Sequence, residues 1–106
     1  MDFEKIIRDL IAHEHEEEWF EFKTNWYEPK EIGEYISAMS NSAALLGKSD
    51  AYFVWGIENN THRIVGTEFD YHRDVKNEPL QHYLARQIKP DNGFSFHELT
   101  MDGERL

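Results

Sequence analysis

The chain has 106 residues, a formal net charge of −10, 40% hydrophobic and 14% aromatic residues, and no cysteine. That length suits one domain around one core, with ample apolar material to bury, and the missing cysteines exclude disulfides and thiolate metal sites. No apolar run is long enough to cross a bilayer and no N-terminal stretch reads as a secretory signal, so a cytoplasmic protein without a membrane partner is expected.

The charge is unevenly spread. Residues 1–34 carry eleven acids against four bases, and residues 35–106 carry ten against seven. Affinity for phosphate comes from Lys and Arg displacing counterions, so the average surface should repel nucleic acid. Any nucleic-acid site must therefore be local. An acidic face of this kind also suits a basic protein partner.

In chain order, Phe3, Ile6, Ile7, Leu10 and Ile11 recur at helical spacing, which predicts a helix over 2–13 with Asp2 as N-cap. Glu14–Glu18 is a charge run. From Glu18 to Thr24 the residues alternate, with Phe20 and Phe22 on one face and Trp19, Glu21 and Lys23 on the other, as in a half-buried strand. A turn follows over Asn25–Pro29. Residues 31–46 then form the main helix, with Gly47 as its stop.

Residues 51–57 (AYFVWGI) are apolar on both faces and read as a covered strand. Asn59-Asn60 tolerates the left-handed backbone of a tight turn, and Arg63–Val65 returns as the hairpin partner. After a polar stretch, residues 79–88 read as a short helix. Residues 94–101 alternate as a strand, and Asp102-Gly103 marks a hairpin turn. The strand begun after that turn stops three residues on, so the expectation is a single domain over 1–106 that forms the N-terminal fragment of a longer protein.

Several further motifs carry no chemistry. Gly47-Lys48-Ser49 follows a helix, whereas a phosphate-binding loop must precede one and needs a Gly where Ser42 stands. His13 and His15 do not share a helix face and have no third ligand at a recognisable spacing, so no resident metal is expected. Trp19, Trp26, Tyr27 and Tyr35, near Lys23, Lys30 and Lys48, are candidates for stacking on unpaired bases; packing of Trp26, Tyr27 and Tyr35 at the strand–helix junction is the stronger reading. A second candidate surface is residues 62–89, where Arg63, Arg73, Lys76, Arg86 and Lys89 nearly balance the acids.

One set of motifs stands in a recognisable order: Glu16, Glu21-Phe22-Lys23, Asn41 near the end of a helix, Gly56-Ile57-Glu58-Asn59, and Val65-Gly66. In that order and spacing the chain resembles the Schlafen/AlbA-type DNA-binding domain. The resemblance implies an α+β fold, a small mixed β-sheet of about four or five strands packed against two main helices. It also implies a nucleic-acid-binding regulatory domain of a larger transcriptional regulator or ATP-binding protein. Lys23, Asn41 and Arg63 would then contact phosphate or backbone.

An alternative from the same resemblance is a divalent-metal RNase of Schlafen type, with Glu16, Glu21 and Glu58 as catalytic carboxylates around Mg or Mn. Asn59 stands where that family carries an acid, and an amide lacks the charge that a hard cation and its bound water prefer. Strand alternation also points Glu58 away from Asn59 unless a bulge turns it. No cofactor is otherwise expected. A third reading is an acidic protein-interaction module, and homo-oligomer formation stays open.

Overall fold

In the computed structural model, residues 2–13, 17–87 and 94–106 are described. Helix α1 spans Phe3–Ile11, and the Asp2 side chain caps it by accepting from the Lys5 N–H at 3.1 Å. Ile7 and Leu10, one turn apart, are its buried residues. Strand β1, Phe20–Lys23, alternates as its sequence requires: Phe20 and Phe22 are buried, Glu21 and Lys23 are half-buried.

Helix α2 spans Pro29–Leu45 and starts two residues earlier than the periodicity predicts, because Pro29 fits the first turn, where no N–H partner is needed. Its end satisfies two carbonyls at once. Gly47 is left-handed (φ 73°), its N–H donates to Ala44 O at 3.2 Å, and the Lys48 N–H donates to Ala43 O at 2.8 Å. The helix then hands over to β2, Tyr52–Trp55, which lies parallel to β1 with Phe20 beside Tyr52 and Lys23 beside Trp55. A parallel pair needs a crossover connection, and α2 supplies it.

The β1–β2 pair divides the apolar interior. One cluster joins Ile7 and Leu10 of α1 to Phe20, Phe22, Ile57 and Met101. The other joins Ile32 of α2 to Trp55, Phe69, Leu80 and Leu84. Leu80 and Leu84 belong to α3, Leu80–Gln87, which packs on α2.

Three local readings change. The left-handed residue of the 58–63 turn is His62 (φ 58°), not an asparagine. Its ring is held edge-on to Phe22 at 5.0 Å, and its Nδ1 lies 3.2 Å from Ile11 O, so tertiary contacts outweigh turn propensity. The polar stretch before α3 contains a hairpin, β3 (Asp74–Val75) with β4 (Glu78–Pro79), turned by Lys76 and Asn77, both at positive φ. Of the strand expected over 94–101 only the end is paired: β5, Thr100–Met101, meets β6, Glu104–Arg105, across the Asp102-Gly103 turn, and Leu99 exchanges backbone hydrogen bonds of 3.3 and 2.9 Å with Leu106.

The described residues thus form a mixed α+β structure of three helices and three two-stranded sheets. Backbone hydrogen bonds link the pieces. Gly56 donates to Lys23 O at 2.7 Å and accepts from the Val65 N–H at 2.8 Å, and Thr67 donates to Arg105 O at 3.0 Å. Gly56 is thus the point where β2 leaves one neighbour and meets the next.

Candidate nucleic-acid interface

Lys23 ends β1, and strand alternation sends it and Glu21 to the α2 side, opposite Phe20 and Phe22. There the Lys23 ammonium lies 3.8 Å from Glu21 Oε1. It also stands over two rings, 5.4 Å from the centre of Trp26 and 5.6 Å from that of Tyr35. A cation over an aromatic face is attracted by the ring quadrupole, by about 0.5–2 kcal/mol depending on exposure.

The rings are themselves fixed. Trp26 stacks on Phe53 at 5.7 Å and 17°, and Tyr35 stands edge-on to both. The Trp55 indole N–H donates to Trp26 O at 2.8 Å, and the Trp55 ring lies flat on Phe69 at 3.9 Å and 3°. Lys23 therefore sits at the top of an aromatic ladder that runs down into the second core cluster. The packing reading of Trp26 and Tyr35 holds. Their faces are taken by Lys23 and Phe53, so a base stacking there would have to displace the ammonium.

The same pairing recurs. Lys48 lies 4.9 Å over Trp19 and the Arg73 guanidinium lies 4.2 Å over Tyr27. The pair of Arg73 with Tyr27 has no local sequence signal, since the two lie 46 positions apart. Burial raises the Tyr27 phenol above its usual range against the pull of Arg73, and its buried hydroxyl has no hydrogen-bond partner among the described residues.

The other two residues expected to touch phosphate lie elsewhere. Asn41 is exposed near the end of α2, six residues beyond Tyr35, which places it about 9 Å along the helix and roughly 240° around it. Arg63 is exposed where the 58–63 turn closes, its carbonyl accepting from the Glu58 N–H at 2.9 Å. Lys23 thus has a built environment, whereas Asn41 and Arg63 are solvated on separate elements.

Among the described residues the carboxylates do not assemble into a metal-binding group either. Glu21 is engaged with Lys23, Glu58 is half-buried at the entry to the turn beside the buried Ile57, and Asn59 is exposed. Glu16 lies outside the described residues. Among the described residues no group of three His, Asp or Glu side chains is placed to hold a metal ion. No helix among them is long and apolar enough to cross a membrane.

No curated protein and no solved structure gives a significant match to this chain. Residues 16–106 match the family Schlafen, AlbA_2, a span that takes in Glu21-Phe22-Lys23, the whole of α2, and the Gly56 and Gly66 positions. The chain is a member of the Schlafen, AlbA_2 family.

Proposed function

We propose that this chain is a nucleic-acid-binding regulatory domain of a larger cytoplasmic protein, a transcriptional regulator or an ATP-binding protein. The observation that carries the reading is the family match over residues 16–106, with Lys23 of the Glu-Phe-Lys motif held over Trp26 and Tyr35. The hydrogen-bonded run from β1 through β2 and residues 64–67 to β6 and β5 supports a single mixed sheet, interrupted at Gly56, as its frame.

In an acidic chain such a site must be local. Lys23 is the anchor, because Glu21 and the two rings hold its ammonium in place and little side-chain freedom is left to lose on binding. Asn41 and Arg63 extend the contact as separate, solvated groups. Fluorescence anisotropy of labelled single-stranded RNA, single-stranded DNA and duplex DNA tests this at low and moderate salt. Binding should weaken with salt, and Lys23→Ala should cost about fivefold to tenfold and lower the salt slope by about one. Flat curves for all three probes at low salt would end the proposal for this chain.

A further inference from the structure

The loop that carries Trp26 and Tyr27 is pinned at Thr24, Asn25 and Trp26. Thr67 Oγ1 donates to Thr24 O at 2.7 Å, the Glu68 N–H donates to the Asn25 side chain at 2.7 Å, and the Trp55 indole donates to Trp26 O at 2.8 Å. Trp26 and Tyr27 both pack against the second core cluster, Trp26 on Phe53 and Tyr27 beside Phe69 at 5.8 Å. The core thus fixes both rings, and each carries a cation, Lys23 over Trp26 and Arg73 over Tyr27. Lys48, a further stacked cation, stands instead on Trp19 in the first cluster.

The arginines differ in what holds them. Arg8 pairs with Asp102, Arg86 with Glu78 and Arg105 with Glu98, so their charges are already answered. Arg63 and Arg73 have no carboxylate partner among the described residues, and of these two only Arg73 lies over a ring. The nearby Asp70 is taken by His72 at 2.8 Å. The backbone of Arg73 is also fixed, its N–H donating to Asp70 O at 3.2 Å and its carbonyl accepting from the fully buried Leu80 at 3.0 Å. Arg73 itself is exposed. A guanidinium stacked by its face keeps its N–H edge for a ligand, and that edge matches two oxygens of a phosphate.

We infer that Arg73 is a second phosphate anchor of the proposed interface, so that one nucleic-acid strand crosses the loop at 24–28 with one phosphate on Lys23 and another on Arg73. This rests on the nucleic-acid reading and adds to it a residue 50 positions from Lys23. Tyr27 is a positioning residue, because its ring holds the guanidinium in place before the strand arrives. A cation ordered in advance has less side-chain freedom to lose on binding. Two such cations on one pinned loop give an acidic chain a local site without a basic surface.

The test is the salt dependence of binding to labelled single-stranded RNA, single-stranded DNA and duplex DNA. Lys23→Ala and Arg73→Ala should each weaken binding about fivefold to tenfold and lower the salt slope by about one, and the double variant should lower it by about two. Arg73→Lys keeps the charge without the planar fork and should restore the slope but only part of the affinity. Tyr27→Leu should weaken binding with the slope and the circular dichroism unchanged, whereas Tyr27→Phe, which keeps the ring, should bind as the parent does. Parent affinity and slope in Arg73→Ala, beside a weakened Lys23→Ala, would overturn this inference and leave the nucleic-acid reading standing. Flat curves for the parent with all three probes would end both.

Discussion

Arg8 and Asp102 lie 94 residues apart in sequence and meet through two hydrogen bonds, of 3.2 and 2.8 Å, that tie α1 to the turn between β5 and β6. The hydrogen bond from Arg8, more than its charge, holds the Asp102 carboxyl below its usual range. Asp70 is lowered as well, first by the His72 backbone N–H at 2.9 Å and then by the His72 side chain at 2.8 Å. A depressed carboxylate contributes stability above its unfolded pKa, near 3.9, and loses it as pH falls through the lower folded value. Thermal melts should therefore show stability falling below about pH 4. Asp102→Asn keeps the left-handed turn that its positive φ requires. It should lower Tm at neutral pH, and its deficit against the parent should shrink as pH falls through the lowered folded-state value and the Asp102 carboxyl takes up its proton.

Gly47 and Gly56 both have positive φ, 73° and 105°, yet they should respond differently to alanine. A Cβ at Gly47 meets nothing within 4 Å, so Gly47→Ala should cost only the backbone term, about 1–2 kcal/mol. At Gly56 a Cβ would stand 2.5 Å from Leu106 Cδ2 and 3.1 Å from Arg105 O. Urea unfolding of Gly56→Ala should show a loss of about 3 kcal/mol or more, or no folded protein.

Much of this fold is legible in the sequence. The Asp2 cap, the alternation of Phe20 and Phe22, the stop at Gly47 and the Asp102-Gly103 hairpin all follow from short-range chemistry, and each is present. Positions settled by distant partners are not legible. His62 takes the left-handed position in its turn because Phe22 and Ile11 hold its ring. The polar residues 66–73 gave no sign that Thr67 Oγ1 would reach Thr24 O at 2.7 Å, or that the Asn25 side chain would accept from the Glu68 N–H at 2.7 Å. At the candidate site, the nearness of Lys23 to Trp26 and Tyr35 was readable from the strand–turn–helix order. The aromatic ladder beneath them was not, since it needs the parallel register of Phe53 and Trp55.

The turn between β3 and β4 is an opportunity for stabilisation. Lys76 and Asn77 have φ of 51° and 67°, the doubly left-handed geometry that Asn-Gly adopts best. Replacing the pair by Lys76→Asn with Asn77→Gly should raise stability by about 0.5–1 kcal/mol in chemical denaturation, with no change in the β3–β4 register.

Leu84 is fully buried on α3 against the second cluster. Leu84→Ala should cost about 2–5 kcal/mol and, because α3 packs on α2, should lower the melting temperature of the whole domain.

The division of the interior by β1 and β2 also has an optical consequence. Trp19 belongs to the cluster beneath α1, and Trp55 belongs to the one beneath α2 and α3. Each half of the interior thus carries its own intrinsic fluorophore, with Trp26 at the margin of the second. Variants keeping only Trp19 or only Trp55 would turn one emission spectrum into two independent thermometers. Coincident melting curves would mean that the halves yield as one unit, and separated curves would show which half lets go first.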